Sequence, residues 1–219
     1  MNLIILGPPG SGKGTLAANL REQLNVLHLS TGDLFRENIS RGTELGKLAS
    51  SYIDKGELVP DSVTIAMVKD ALDSLPQGQG FLLDGFPRTV EQADALAEIL
   101  RDSGKKLDAM IQTVLDDDII VRRISGRRVC KNCGASYNVD EVPPKIENVC
   151  DRCAGSLEQR KDDSAATVHH RLETYHEKTK PLIDYYGKLG IILAVDTSGT
   201  PEESFSKACS LLDSMKIER

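Results

Sequence analysis

The apolar positions of this chain gather into five short runs, Leu3–Leu6, Val26–Leu29, Gly80–Asp84, Met110–Leu115 and Ile191–Asp196. None alternates cleanly between apolar and polar, as expected of strands covered on both faces. Between them the apolar residues follow helical spacing, at Lys13–Gln23, Asp61–Ser74, Val90–Asp102, Asp117–Ser125, Ser164–Lys188 and Pro201–Met215. Strands alternating with helices predict an α/β fold of three layers around a central parallel five-stranded sheet.

Two segments interrupt the alternation. Ser30–Val59 is polar and helical in pattern, broken at Gly32, Gly42 and Gly56. Gly126–Asp163 holds four of the five cysteines, Pro143-Pro144 and several β-formers, and reads as a small separate lobe rich in β-structure. This divides the chain into a core of residues 1–29, 60–125 and 164–219, an insertion of residues 30–59, and a lobe of residues 126–163.

The first run leads straight into Gly7-Pro8-Pro9-Gly10-Ser11-Gly12-Lys13-Gly14-Thr15. That is the Gly-x-x-x-x-Gly-Lys spacing of a phosphate-binding loop, in the strand–loop–helix setting it requires. The glycines let successive amides face an anion, Lys13 adds a point charge for the outer phosphates, and the next helix offers its positive end. A hydroxyl is usual after the lysine; here Gly14 stands there and Thr15 follows.

The net charge of −6 and pI of about 5.3 leave out an overall electrostatic footprint for DNA or RNA. No apolar run reaches the length of a membrane span, and the N-terminus lacks a basic leader and cleavage site. The chain is therefore expected to be soluble and cytoplasmic, with its cysteines as metal ligands or core residues rather than disulfides.

Cys130-x-x-Cys133 and Cys150-x-x-Cys153 form two knuckles separated by residues 134 to 149. Four thiolates close a tetrahedral site and leave no open position, so the expected metal is structural: zinc, with iron allowed by ligand softness. A lobe this small needs such a staple. Cys209, in the last helical segment, reads as a buried core residue.

Gly80-Phe81-Leu82-Leu83-Asp84 ends an apolar run in a carboxylate placed to hold Mg2+, directly or through water. Gly85-Phe86-Pro87-Arg88 follows as a turn carrying an anion clamp. Arg36, Arg123, Arg127, Arg160 and Arg171 each fall near a junction between core and inserted segment. None of His28, His169, His170 and His176 stands with a plausible nucleophile. A phosphate loop, a metal-binding Asp and many arginines without a general base suit an acceptor that is itself a phosphate. Transfer then reduces to in-line positioning, charge neutralisation and exclusion of water.

With these motifs, Ser30-Thr31-Gly32-Asp33, Gly126-Arg127-Arg128 and Arg160-Lys161-Asp162-Asp163, the chain resembles the adenylate kinases, in their long form with a metal-carrying lid, over essentially its whole length. Gly14-Thr15 is the ending that family uses. The resemblance implies ATP + AMP ⇌ 2 ADP with Mg2+ on the donor, in a monomer whose partners are ATP, AMP and ADP. It makes residues 30–59 the nucleoside-monophosphate domain and residues 126–163 the lid. It implies ATP contacts at Gly10, Ser11, Gly12, Lys13, Gly14, Thr15, Arg123, Arg127, Ser136, Tyr137 and Gly199. It implies AMP contacts at Thr31, Arg36, Glu57, Leu58, Val59, Gly85, Phe86, Pro87, Arg88, Gln92, Arg160 and Arg171. Lys13, Asp84, Arg88, Arg127, Arg160 and Arg171 serve catalysis, and Asp162 and Asp163 form the hinge. A Gln at 92 suits the donor–acceptor edge of adenine. Rival assignments are a UMP or CMP kinase, and a P-loop ATPase carrying a zinc-ribbon nucleic-acid module.

Overall fold

A computed structural model describes residues 1–215, the side chains of residues 165 and 166 excepted. Residues 216–219, assigned to the core above, lie outside the described residues. The chain opens with β1 (Asn2–Leu6), a glycine-rich loop and α1 (Lys13–Leu24). β2 (Leu27–Ser30) runs directly into α2 (Thr31–Ser40), followed by α3 (Glu44–Ile53) and α4 (Asp61–Asp73). Next come β3 (Phe81–Asp84), α5 (Val90–Asp102), β4 (Ala109–Val114) and α6 (Asp117–Gly126). Three short strands follow: β5 (Arg127–Cys130), β6 (Ser136–Asn138) and β7 (Leu157–Glu158). A 3-10 turn at Lys161–Asp163 leads to α7 (Ala165–Thr174), α8 (Pro181–Gly187), β8 (Ile192–Asp196) and α9 (Pro201–Ser214).

The main sheet is parallel and five-stranded, in the order β2-β3-β1-β4-β8. Adjacent residues of β1 point to opposite faces and are buried on both. Leu3 and Ile5 pack with Leu16, Leu20 and Leu212 from α1 and α9. Ile4 and Leu6 pack with Val68, Leu96 and Leu182 from α4, α5 and α8. The central strands are thus apolar and buried over their middle residues, such as residues 3–6, 81–83 and 109–111, whereas edge strand β8 alternates between buried and exposed residues from Leu193 to Asp196. The register pairs Asp84 with both Ile5 and Ser30. The segments that follow β1, β2 and β3 therefore leave the carboxyl end of the sheet side by side, where open α/β sheets form their crevices.

Residues 31–59 hold α2 and α3 around a small apolar core of Phe35, Ala49 and Val59. Gly46 is fixed by that crossing, because a Cβ there would lie 2.2 Å from the Asn38 carbonyl oxygen. The antiparallel sheet, in the order β6-β5-β7, carries Cys130 at the end of β5 and packs Cys130 and Cys150 into its small core.

Two expectations need correction. The segment Ser164–Lys188 is not one regular helix: α7 widens into a π turn at Tyr175–Thr179 before α8. Pro181 has no amide proton to continue the α-ladder, and the Lys180 amide instead reaches back five residues to the Tyr175 carbonyl at 2.8 Å. Cys209 is half-buried rather than buried, lying at the margin of the core cluster formed with α9.

Candidate active site and metal centre

The phosphate loop is held from below. The Ser11 hydroxyl, fully buried, lies 2.7 Å from Thr113 Oγ1, which donates to the Leu6 carbonyl at 3.2 Å. Gly7 is required by this close approach, since a Cβ there would come within 1.9 Å of Thr113 Oγ1. Gly10 and Gly12 take the left-handed conformation that glycine favours (φ 77° and 83°). The side chain of Ser11 thus serves the sheet rather than the mouth of the loop. Lys13 folds back over it, its Nζ donating to the Pro8 carbonyl at 2.7 Å.

A cleft runs from Lys13 to residues of α2, α4 and α7, taking in Thr31, Arg36, Glu57, Leu58, Val59, Gly85, Arg88, Gln92, Asp162 and Arg171. Thr31 Oγ1 donates to the Gly85 carbonyl at 2.9 Å, and Arg88 Nε donates to the same oxygen at 2.9 Å. Gln92 is buried and clamped, its Oε1 accepting from the Arg88 amide at 2.7 Å and its Nε2 donating to Asp61 Oδ1 at 2.7 Å. One lone pair and one proton of that amide remain for a ligand. Phe86 is fully buried in the sheet core and Pro87 is buried beside it, so of the turn at residues 85–88 it is Gly85 and Arg88, not these two expected contacts, that line the cleft.

Asp163, fully buried, accepts from Arg127 Nε at 2.8 Å and from Arg127 Nη2, and from Arg171 Nη1 at 3.3 Å. Asp162 accepts from Arg171 Nη1 at 2.8 Å. The carboxylates after β7 therefore aim two arginines. Arg160 is half-buried, and its Nε finds no hydrogen-bond partner among the described residues.

Cations here outnumber their partners. Desolvation, opposed by Asp84 but reinforced by Arg88 and Arg171, pulls the Lys13 ammonium down to about 7. Desolvation, with Arg36 and Arg127 close by, holds Arg160 at about 9. Such a cleft gains when an anion enters.

A proton balance follows. Bound phosphate raises the Lys13 pKa, so binding above pH 7 takes up a proton. We expect MgATP binding at pH 8.5 to absorb most of one proton, measured by calorimetry in buffers of different ionisation enthalpy. At pH 6, where Lys13 already carries its proton, the uptake vanishes.

Asp84 is half-buried, with Oδ2 facing the position a Gly14 Cβ would take, at 3.8 Å. A carboxylate aimed at a phosphate loop suits a hard cation with oxygen ligands. His28, two residues before the end of β2, brings its buried Nε2 to 3.6 Å from the same carboxylate oxygen. This contact is invisible in the sequence, because the two residues meet only through the β2–β3 register.

Outside the residues lining that cleft, Arg123 fastens the loop after β8. It donates to the carbonyls of Thr197 (2.7 Å), Ser198 (3.3 Å) and Gly199 (3.4 Å), and pairs with Glu141 at 2.7 Å. Arg123 and Gly199, both expected at the donor, are neighbours. Ser136 is exposed on β6, while Tyr137 is turned into the three-stranded sheet. Residues missed by sequence reasoning are Phe35, Thr64, Thr174, Tyr175 and Thr179, which also line the cleft. The π turn brings the last two there, and Thr179 donates to the Arg88 carbonyl at 2.9 Å.

The sulfurs of Cys130, Cys133, Cys150 and Cys153 lie within 4.8 Å of one another. Cys130 and Cys153 are 3.5 Å apart, and Cys133 and Cys150 3.6 Å. A tetrahedral zinc with Zn–S bonds of about 2.3 Å needs sulfurs about 3.8 Å apart, so the donor set fits a metal. The thiols do not ionise alike. Tyr137 pulls Cys150 down to about 6, whereas the pull of the Gly155 amide on Cys153 is overcome by its sulfur neighbours, which push it up to about 12. A cation at the centre would relieve that conflict.

Comparison with known proteins agrees with this geometry. The family model for adenylate kinase matches residues 5–191. An adenylate kinase of Streptomyces avermitilis is 52% identical over 219 residues, covering 100% of this chain and 98% of the relative. One from Archaeoglobus fulgidus is 49% identical, over 99% of this chain and 100% of the relative. One from Desulforamulus reducens is 57% identical, over 88% and 90%. With the phosphate loop, the arginine-lined cleft and matches of this extent, the chain belongs to the adenylate kinase family.

Proposed function

We propose that this enzyme moves the terminal phosphoryl group of ATP to AMP, giving two ADP. The observation that carries the assignment is the single cleft joining Lys13 of the phosphate loop to Arg88 and Arg171, and these to Thr31 and Gln92. A donor polyphosphate lies on the amides of residues 10–15 under Lys13, with Arg123 and the Gly199 loop at its base and Ser136–Tyr137 above it. The acceptor lies along Thr31, Arg36 and the Glu57–Val59 backbone, with Gln92 reading its base beside Gly85–Arg88. Arg127, Arg160 and Arg171 spread the charge of the group in flight. The bond from the γ-phosphorus to the bridging oxygen breaks as an AMP phosphate oxygen attacks in line. No proton need leave the acceptor, and the carboxylate beside Arg171, Asp162, is already engaged by it.

Asp84 would hold the Mg2+ that arrives with ATP, which neutralises phosphate charge. The four cysteines would hold zinc, with iron the alternative, in a structural role. Residues 30–59 close over the acceptor and residues 126–163 over the donor, turning at Asp162–Asp163, while the rest serves as the core. We take the enzyme to act as a monomer in the cytoplasm, where thiols stay reduced and free to bind metal.

The test is a panel of acceptors with Mg-ATP. ADP forming rapidly with AMP, and at least about tenfold slower with UMP, CMP or GMP, is expected. Preference for a pyrimidine monophosphate would assign a different acceptor, and phosphate release without acceptor would assign an ATPase.

A further inference from the structure

Tyr137 falls in the strand assigned to the donor nucleotide, yet its hydroxyl enters the cysteine cluster. The side chain is buried, one of five residues forming the core of the small sheet with Cys130, Ala135, Cys150 and Leu157. Its oxygen accepts from the Asp151 amide at 2.8 Å and lies 3.5 Å from Cys150 Sγ. The amide can only donate, so the phenol proton is left for the sulfur. Among the described residues the hydroxyl has no other acceptor within hydrogen-bond distance. The bond therefore runs O–H to sulfur, the direction a metal-bound thiolate favours.

The same residue reaches the other knuckle through its backbone. Tyr137 pairs with Arg128 in the β5–β6 ladder, and β5 ends at Cys130. One side chain thus holds the sulfur and the following amide of the second knuckle against the strand that delivers the first.

We propose that Tyr137 is a positioning residue of the metal centre: its hydroxyl donates to the Cys150 sulfur and fixes the second cysteine pair on the first. This rests on the four cysteines binding a metal. Groups that orient metal ligands typically change affinity about 10- to 100-fold when removed.

The test uses the full chain and Tyr137→Phe, each loaded with Co2+ or Zn2+. In competition with a chromophoric chelator, Tyr137→Phe is expected to bind either metal about 10- to 100-fold more weakly. In the Co2+ form, the sulfur-to-cobalt charge-transfer band should move to lower energy, because a sulfur without its donor is richer in electrons. A site-specific fluorotyrosine at position 137 keeps the shape, strengthens the donor and should move the band the other way. This second variant decides the matter if the phenylalanine form does not fold. Affinity within twofold of the parent overturns the proposal, as does weaker binding with an unmoved band, which would mark a packing role. Failure of the unsubstituted chain to take up one equivalent would refute the metal centre itself, and the role of Tyr137 with it.

Discussion

Lys13→Met is expected to lower kcat by at least about a thousandfold, the scale at which a preorganised charge aimed at a transition state is lost. The reason is local. The lysine spans the loop to the Pro8 carbonyl and is the ammonium group lining a cleft whose other cations are guanidiniums. Methionine keeps most of its length and packing, so the loop survives without the charge. Stability should not suffer. Desolvation and the neighbouring arginines hold the Lys13 pKa far below its ordinary value, so charging it in the folded state costs free energy that methionine does not. We expect a thermal midpoint equal to or above that of the parent, and the proton uptake on binding should disappear. Activity within tenfold of the parent would remove Lys13 from the mechanism.

Asp163→Ala should damage fold and function together. Its carboxylate is fully buried and is shared by Arg127 and Arg171. Removing it leaves two poorly solvated guanidiniums facing each other, and breaking a buried pair in this way costs about 3–5 kcal/mol. Asp162 still holds Arg171 by a hydrogen bond, but it reaches Arg127 only through its field, whereas both carboxylate hydrogen bonds of Arg127 among the described residues go to Asp163. Turnover should therefore fall by about a hundredfold or more under conditions where the protein is folded. Urea unfolding and steady-state rates measured on the same sample separate the two effects. A loss of stability with normal turnover would show that the pair only fastens the chain after β7.

The parts legible in the sequence were those whose chemistry is local. The phosphate loop is one continuous segment, and the cysteine knuckles repeat a short spacing, so both appear without knowledge of the fold. The central strands were visible because burial on both faces leaves uninterrupted apolar runs such as Leu3–Leu6. What stayed hidden depends on register or on distant partners. Gln92 is clamped by Asp61 on another helix. His28 meets Asp84 only across two strands, and Arg123 is satisfied by carbonyls more than seventy residues away. The helical spacing of Ser164–Lys188 gives no sign of the π turn that carries Tyr175 and Thr179 into the cleft. Tyr137 shows the limit of assigning a position one role: the family resemblance implies a nucleotide contact there, while its hydroxyl faces sulfur.

The central claim is direct transfer between two nucleotides. ATP labelled in its γ-phosphate, mixed with AMP and Mg2+ in a rapid-quench experiment, should deliver the label to the β-phosphate of newly formed ADP, with none in inorganic phosphate. Label accumulating in inorganic phosphate at a rate independent of AMP would contradict the account.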